Sequence, residues 1–535
     1  MSAGAQTVLF MLAVLAAVAV AAKRLNLAPS ILLVIAGIGM ALVPGLPKIA
    51  LAPETVLLVF LPPLIYSAGV AMSWREFKFN LRPIALLAFG CVVFTTCVVA
   101  AAAHYLLGFD WAVGFLLGAI ISPTDVVAPL AIARQLGLPR RIVVVLEGEG
   151  LANDATALVL YRFAVVAVST RTFSLESAAG EIALIVLGEI IYGVGVGWVS
   201  LHLRQWAREP RVEITLSLMT PYVAFWLPAH LGGSGVLATI ACGLYVSWNG
   251  PLLIPSATRL QGIFFWDLIV YLIEGMVFLL TGLQARILLD ETRVFTIREL
   301  LIATACAAAI AIAARFIWVF PATYIPRWVS RRLAKRDPSP PWQWPFFLAF
   351  TGVRGVTSLA LALAIPYAVA SGAPFPHRDL ILFVSFGVII ITLIGQGVML
   401  PSVVHWLGLH SDGKEERRRE IEAELAARQA ALDEVTRRLE KVVGERELPD
   451  AVIDLLRTRN TSRTQILPQD LEDGLAHMRL SAGIKKELID AERKFIYELL
   501  RDGKITDEAR RRIEYELDLE EASVANRGED GGGWM

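Results

Sequence analysis

The sequence predicts an all-α polytopic membrane protein with about 13 transmembrane helices, and three observations lead to this prediction. The chain of 535 residues is 56% hydrophobic and only 18% charged, with a mean hydropathy of +0.59, which an ordinary soluble domain would not tolerate. Apolar runs of about 20 residues recur in the first three quarters of the chain, each long enough to cross roughly 30 Å of hydrocarbon. The residues after 410 are mostly polar and contain no such run.

The apolar runs define the predicted spans and the domain boundary. The spans are residues 5–22, 29–46, 53–72, 83–107, 111–133, 142–168, 178–203, 211–230, 233–249, 262–285, 298–321, 344–371 and 379–407. We therefore expect a transmembrane domain over residues 1–410 and a tail over residues 411–535. Acids and bases alternate at helical spacing in the tail, which predicts a helical domain that is regulatory, dimer-supporting or simply a solvated extension.

The distribution of charge predicts the orientation and excludes some partners. Lys and Arg near span ends remain preferentially in the cytoplasm, and the loops richest in them lie inside if the N-terminus is outside and the tail is cytoplasmic. The formal net charge is zero, so no basic excess indicates a nucleic-acid partner. The four cysteines lie in apolar runs without metal-ligand spacing, and no cofactor is predicted.

The fifth predicted span contains the sequence AIISPTDVVAPLAI. Pro123 and Pro129 disfavour continuous helix, so this span is expected to be broken near its middle. Broken helices are tolerated at membrane depth only against protein or a wet cavity. Asp125 would then lie beside freed backbone groups and the hydroxyls of Ser122 and Thr124, a cluster of oxygens suited to a hard cation such as Na⁺. The alternative interpretation of this span is a proline kink with a capping Asp.

The sixth predicted span contains three carboxylates within the sequence EGEGLANDATALVL. At 100° per residue, Glu147, Gly150 and Asp154 project from one face of a helix, while Glu149 and Asn153 share a neighbouring face. Asp154 lies about two turns into the span, where water reaches a carboxylate from one side at a time. Glu149 is expected to accept a hydrogen bond from the Asn153 amide. The alternative is that these acids only hold helices together.

The twelfth predicted span contains the sequence FTGVRGVTSLALALAIP. Gly352 and Gly355 flank Arg354 and loosen the helix there, and a charge at this depth needs a partner. Glu149 or Glu147 is the expected partner. Because a guanidinium is always charged, Arg354 is interpreted as a constant counter-charge rather than a proton carrier.

The interrupted spans are the fifth and the twelfth, which is the spacing of two inverted six-helix repeats joined by a seventh span. Paired interrupted segments in corresponding positions of two halves indicate the midplane site of a transporter. Helices 5 and 12 are therefore expected to cross, with half-helix N-termini favouring Asp125 and half-helix C-termini favouring Arg354. The isolated intramembrane charges are interpreted as structural, by pairing or snorkelling; they are Arg162, Glu189, Glu274 and Arg315.

Four motifs, in order along the chain, resemble the monovalent cation:proton antiporter-1 family, the sodium/proton exchangers of bacteria. They are SPTDVVAPLAI, EGEGLANDATALVLYRFAV, FWDLIVYLIEGMVFLLTGLQ and GVRGVTSLALALAIP, and the Asn-Asp pair of the second is the family hallmark. The resemblance covers residues 5–407. It implies thirteen helices with inverted repeats, a homodimer in the bacterial plasma membrane, and exchange of one Na⁺, or K⁺ or Li⁺, for one H⁺.

The match of motifs also implies roles for particular residues. Asp154 would bind a proton and a cation by turns, and Asp125 and Thr124 would line the crossing and complete a Na⁺ site with Asp154. The residues expected to support the site are Asn153, Glu149 and Arg354. The chain departs from the family pattern twice, with Ser67 in place of a Glu and Gly150 in place of a Ser, so sodium coordination would use more backbone or water oxygens.

Three other functions are compatible with buried acids in a membrane domain. An intramembrane aspartyl protease needs two buried Asp residues, but Leu-Ala-Asn precedes Asp154 instead of that family's Gly-x-Gly. A cation channel and a non-transporting membrane sensor could both use the same fold. Counterflow distinguishes them, because a channel passes cations without exchanging protons and a sensor moves neither.

Overall fold

The computed structural model describes residues 3–25, 27–43, 52–170, 175–291, 296–369, 372–445, 449–465, 471–502, 504 and 506–528, which are almost entirely helical. In chain order the helices are α1 (Ala3–Leu25), α2 (Pro29–Leu42), α3 (Pro53–Ala71), α4 (Trp74–Phe79), α5 (Leu81–Leu107), α6 (Trp111–Ile121), α7 (Val127–Gln135), α8 (Arg140–Thr170), α9 (Leu175–Ala207), α10 (Pro210–His230), α11 (Val236–Leu253), α12 (Ser256–Glu291), α13 (Ile297–Val329), α14 (Arg331–Arg336), α15 (Gln343–Phe350), α16 (Val356–Leu363), α17 (Arg378–Leu407), α18 (Leu409–Glu445), α19 (Asp450–Gln465), α20 (Leu471–Arg501) and α21 (Asp507–Gly528).

Nine helical runs within the described part of the chain are long and apolar enough to cross a membrane. Two shorter apolar helices, α2 and α6, add to them. The protein is therefore a multi-pass membrane protein, and the predicted all-α class is confirmed. The fold divides into two compact units, Met1–Gly413 and Lys414–Met535.

The predicted interruptions of the fifth and twelfth spans are both present. The fifth span consists of α6 and α7, which are separated by residues 122–126, and the twelfth consists of α15 and α16, separated by residues 351–355. Both interruptions follow from local chemistry, because Pro123 cannot continue the hydrogen-bond ladder and glycines at 352 and 355 weaken helix propensity.

Helix α8 lies at the centre of the first unit and contacts both interrupted spans. Close approach to it depends on two glycines: a Cβ at Gly148 would overlap the side chain of Ile84, and a Cβ at Gly150 would overlap the side chain of Val126. Side chains in the middle of α8, such as Leu146 and Ala157, are fully buried. The middle of the sixth span is thus buried in protein, which permits carboxylates there.

Three arginines from separate helices meet one carboxylate at the ends of α5, α8 and α13. Asp337 accepts hydrogen bonds from Arg82 at 2.9 Å, from Arg141 at 2.7 Å and from Arg327 at 2.9 Å. Burial raises the pKa of Asp337, but hydrogen bonds and charge from Arg141 and Arg327 outweigh burial and hold this pKa below its ordinary value. The predicted inner loops that carry these residues therefore lie on one side of the protein.

Replacing Asp337 with Asn should destabilise the fold by about 1 to 3 kcal/mol, because three guanidinium groups would lose their shared counter-charge. Thermal unfolding of the detergent-solubilised protein measures the effect. Asp110→Asn is the matched control, since Asp110 is exposed at the start of α6. Equal melting temperatures for the two variants would contradict a stabilising role for the cluster.

Candidate cation site

The two interrupted segments contact each other in the interior of the first unit. The amide of Asp125 donates a hydrogen bond to the carbonyl of Val353 over 2.7 Å. Gly355 packs so closely on Asp125 that a Cβ at this position would overlap its carboxylate. The interruptions of the fifth and twelfth predicted spans therefore meet, at a contact that we call the crossing, and Gly355 is required for this close approach.

Asp125 lies at the N-terminus of the half-helix α7. Its Oδ1 accepts a hydrogen bond from the Val127 amide at 2.9 Å, and the positive end of the helix dipole also favours the charged carboxylate. The predicted capping geometry is thus present. Asp125 also lines a cavity, so capping α7 is not the only contact available to its carboxylate.

Asp154 approaches the crossing from α8. Its Oδ2 accepts a hydrogen bond from the Thr357 hydroxyl at 2.9 Å. Thr357 lies in the first turn of α16, immediately after the interruption of the twelfth span. Asp154 is thereby held at the start of α16, two residues after Gly355, which packs on Asp125.

A chain of hydrogen bonds lies behind the two aspartates. The Asn153 amide donates to the carbonyl of Thr124 at 2.6 Å and to its hydroxyl at 3.0 Å. The Thr124 hydroxyl in turn donates to Glu149 at 2.8 Å. The prediction that Glu149 accepts directly from Asn153 is wrong, because Thr124 of the interrupted segment lies between the two side chains.

Glu149 forms a buried two-point ion pair with Arg315 of α13. Arg315 donates to both carboxylate oxygens, with 2.8 Å between Nη2 and Oε2, and the two side chains are only 2% and 1% exposed. Arg315 also donates from Nε and Nη2 to the carbonyl of Leu348, at 3.0 and 2.8 Å. The pair joins α8, α13 and α15 behind the site, so Arg315 pairs within the bundle as expected of the isolated charges.

Arg354 is bonded to backbone carbonyls instead of a carboxylate. It donates to Ile121 at 3.0 Å, to Gly352 and to Ala311 at 3.4 Å. The predicted pairing of Arg354 with Glu149 or Glu147 is wrong, since the exposed carbonyls at the end of α6 satisfy the guanidinium. This contact agrees with the prediction that a half-helix C-terminus favours Arg354.

A cavity of about 400 Å³ opens beside the crossing, and we call it the central cavity. Its polar lining consists of Thr124, Asp125, Arg134, Glu147, Asp154, Glu274, Thr357 and Ser358. The rest of the wall is mainly apolar, from α3, α7, α8 and α12. A low-dielectric wall with several carboxylates concentrates cations.

Residues 10–406 match the family model for the transmembrane sodium/hydrogen exchanger. The chain belongs to the sodium/hydrogen exchanger family. An uncharacterised Na⁺/H⁺ exchanger of Mycobacterium bovis is 32% identical over 510 residues, which is 94% of this chain and 92% of that protein.

Two further proteins are similar to this chain. The Na⁺/H⁺ antiporter ApNhaP of Aphanothece halophytica is 34% identical over 419 residues, covering 77% of this chain and 75% of the relative. The solved sodium/proton antiporter MjNhaP1 of Methanocaldococcus jannaschii matches with a TM-score of 0.59 and 18% identity, over 74% of this chain and 97% of that chain. The chain thus shares the fold of MjNhaP1.

The remaining candidate residues predicted from the sequence form other contacts. Glu147 lines the central cavity but forms an ion pair of 2.7 Å with Arg134. The Ser122 hydroxyl donates to the Ala119 carbonyl at 3.3 Å, and its role as a cation ligand stays a prediction. Gly352 supplies a carbonyl to Arg354, and Ser67 donates to the Leu64 carbonyl at 2.9 Å; both contacts are local.

The sequence did not identify Thr357 and Glu274 as residues of the central cavity. Thr357 contacts Asp154 directly. The sequence feature that could have identified it is a hydroxyl side chain just after the interruption of the twelfth span. Glu274 was interpreted as structural but lines the cavity. Glu189, interpreted in the same way, instead accepts hydrogen bonds from Ser234 and from the backbone at the start of α11.

Proposed function

We propose that the protein is a secondary antiporter that exchanges one monovalent cation, preferentially Na⁺, for one H⁺. The observation that carries the proposal concerns the carboxylates that line the central cavity or lie directly behind it. Within the described part of the chain, Glu147 and Glu149 are each paired with an arginine, whereas Asp125 and Asp154 form no ion pair. The paired acids are neutralised and brace the site, and the two aspartates retain charge for a transported ion.

Asp154 is the proposed carrier of proton and cation by turns. When it is deprotonated, it attracts a cation into a site completed by Asp125 and Thr124, with water or backbone oxygens filling the remaining positions. When it is protonated, it is neutral and the cation is excluded. The two occupied states carry the same net charge, so exchange is one for one and electroneutral. Asn153, Glu149, Arg354 and the two glycines at 352 and 355 hold the half-helices in place.

The membrane arrangement belongs to the same proposal. Two inverted six-helix repeats, with thirteen spans in all, place the crossing at the midplane and allow access from alternate sides. The N-terminus lies outside, and the tail over residues 411–535 is cytoplasmic. We further propose a homodimer in the bacterial plasma membrane that serves pH and sodium homeostasis. The preference for Na⁺ over K⁺ or Li⁺ is supported by the name of the family and of ApNhaP.

Reconstitution of the full-length protein into liposomes tests the function directly. A trapped pH-sensitive dye reports proton movement when NaCl, KCl or LiCl is added at a series of pH values. The expected result is rapid dequenching with NaCl that does not require a membrane potential. Cation uptake that is indifferent to a proton gradient would indicate a channel, and no movement of either ion would indicate a sensor; each would overturn the proposal.

Replacing Thr357 with Val should raise the half-maximal Na⁺ concentration by about five- to tenfold while exchange continues. The hydroxyl stabilises the deprotonated form of Asp154, so its loss favours protonation and strengthens competition by H⁺. The increase should therefore be larger at acidic pH. Thr357→Ser keeps the donor and is the matched control. An unchanged half-maximal concentration in Thr357→Val would contradict this role.

A further inference from the structure

Glu274 presents a third unpaired carboxylate to the central cavity. It lies on α12, and the residues one turn away on the same face, Val270, Val277 and Phe278, also line the cavity. This spacing of four and three residues places one stripe of the helix along the cavity wall. Glu274 is therefore a cavity residue by the geometry of its helix and is not directed toward lipid.

The neighbours of Glu274 do not neutralise it. Among the residues that the structure describes, its side chain has no hydrogen-bond or ion-pair partner, whereas Glu147 in the same cavity is paired with Arg134 at 2.7 Å. Asp125 and Arg134 line the same cavity as Glu274. A carboxylate that only joined helices would bond to donors, as Glu189 does.

The other charged groups of the central cavity lie at two levels along α7 and α8. Asp125 precedes α7 and Arg134 lies near its last residue, about 13 Å further along the helix at 1.5 Å per residue. The pair of Arg134 and Glu147 lies about 10 Å along α8 from Asp154 by the same rise. Glu274 lines the same cavity as both of these groups.

We propose that Glu274 is a staging ligand for the transported cation, an inference that rests on the proposed function. It binds a hydrated monovalent cation inside the cavity and passes it to Asp154 and Asp125. An intramembrane carboxylate without a counter-charge is costly, and attraction of a cation offsets that cost. Its negative charge raises the local cation concentration and so lowers the bulk concentration that half-saturates transport. Glu274 does not exchange the proton; Asp154 does.

The test compares Glu274→Gln with wild type in liposomes that contain the full-length protein. The half-maximal Na⁺ concentration should rise about three- to tenfold at low ionic strength, while the maximal rate stays within about twofold. Added choline chloride should reduce the difference, because salt screens the attraction. Glu274→Asp restores the charge and should recover most of the affinity, which shows that the loss in Glu274→Gln is not misfolding.

Asp267→Asn is the matched control, because Asp267 is an exposed acid two turns earlier on α12 and does not line the cavity. It should behave as wild type. If Glu274→Gln also has a wild-type half-maximal concentration while Asp154→Asn is inactive, the staging role is refuted and the proposed function stands. If Glu274→Gln abolishes exchange, Glu274 is a carrier and the staging role is again refuted. A wild-type protein that exchanges nothing refutes the proposed function itself.

Discussion

Asp154→Asn should abolish exchange, with a rate in liposomes at least about a hundredfold below wild type, since a carboxamide neither takes up a proton nor offers charge to a cation. The substitution keeps the volume of the side chain, and the amide oxygen can still accept the hydrogen bond from Thr357. The site therefore remains packed, and the loss is chemical. Dequenching of a trapped pH dye on addition of NaCl measures the rate.

A binding measurement separates loss of cation binding from loss of the transport cycle. A ligand that binds only the folded state stabilises it by about 2.7 kcal/mol at a concentration one hundred times the dissociation constant. Wild-type protein should therefore melt at a higher temperature in NaCl than in choline chloride, and Asp154→Asn should show no difference. Asp110 is exposed and remote in sequence from Asp154. Asp110→Asn should therefore retain both the exchange activity and the higher melting temperature in NaCl. Exchange by Asp154→Asn at the wild-type rate would refute the carrier role.

The interruptions of the fold could be predicted from sequence because their causes are local. Pro123 and the glycines around Arg354 disfavour helix wherever they occur, so the breaks at residues 122–126 and 351–355 needed no knowledge of packing. Their correspondence in the order of spans also predicted that they meet. The hydrogen bond between Asp125 and Val353 is the result.

The ion pairs could not be predicted, because they depend on which helices are neighbours. Glu149 and Arg315 are 166 positions apart, and nothing in either segment identifies the other as its partner. Depth in the membrane alone led to Arg354 as the partner of Glu149. Arg354 is instead bonded to carbonyls that the breaks expose, and carbonyl groups have no sequence signature. Glu274 was interpreted as structural for the same reason, since only helix packing places it beside the cavity.

Glu149→Gln should destabilise the protein by about 3 to 5 kcal/mol, because it leaves the guanidinium of Arg315 buried without a counter-charge. The side chains of both residues are almost completely excluded from solvent, so water cannot replace the lost partner. The Gln side chain still accepts a hydrogen bond from Thr124, which limits the change to the charge. Thermal unfolding in detergent, together with the yield of monodisperse protein, measures the effect.

The double variant Glu149→Gln/Arg315→Met separates two contributions to the free energy of unfolding. One is the destabilisation by an unpaired buried charge, and the other is the stabilisation by the ion pair itself. Removing both charges should restore much of the stability lost in Glu149→Gln, since a neutral pair carries no uncompensated charge. Exchange should stay impaired in the double variant, because Arg315 also binds the Leu348 carbonyl and thereby links α13 to the interrupted twelfth span. The free energy of unfolding lost in the double variant could instead equal the sum of the losses in Glu149→Gln and Arg315→Met. The destabilisation would then come from lost packing, and the ion pair would not be the interaction that joins α8 to α13.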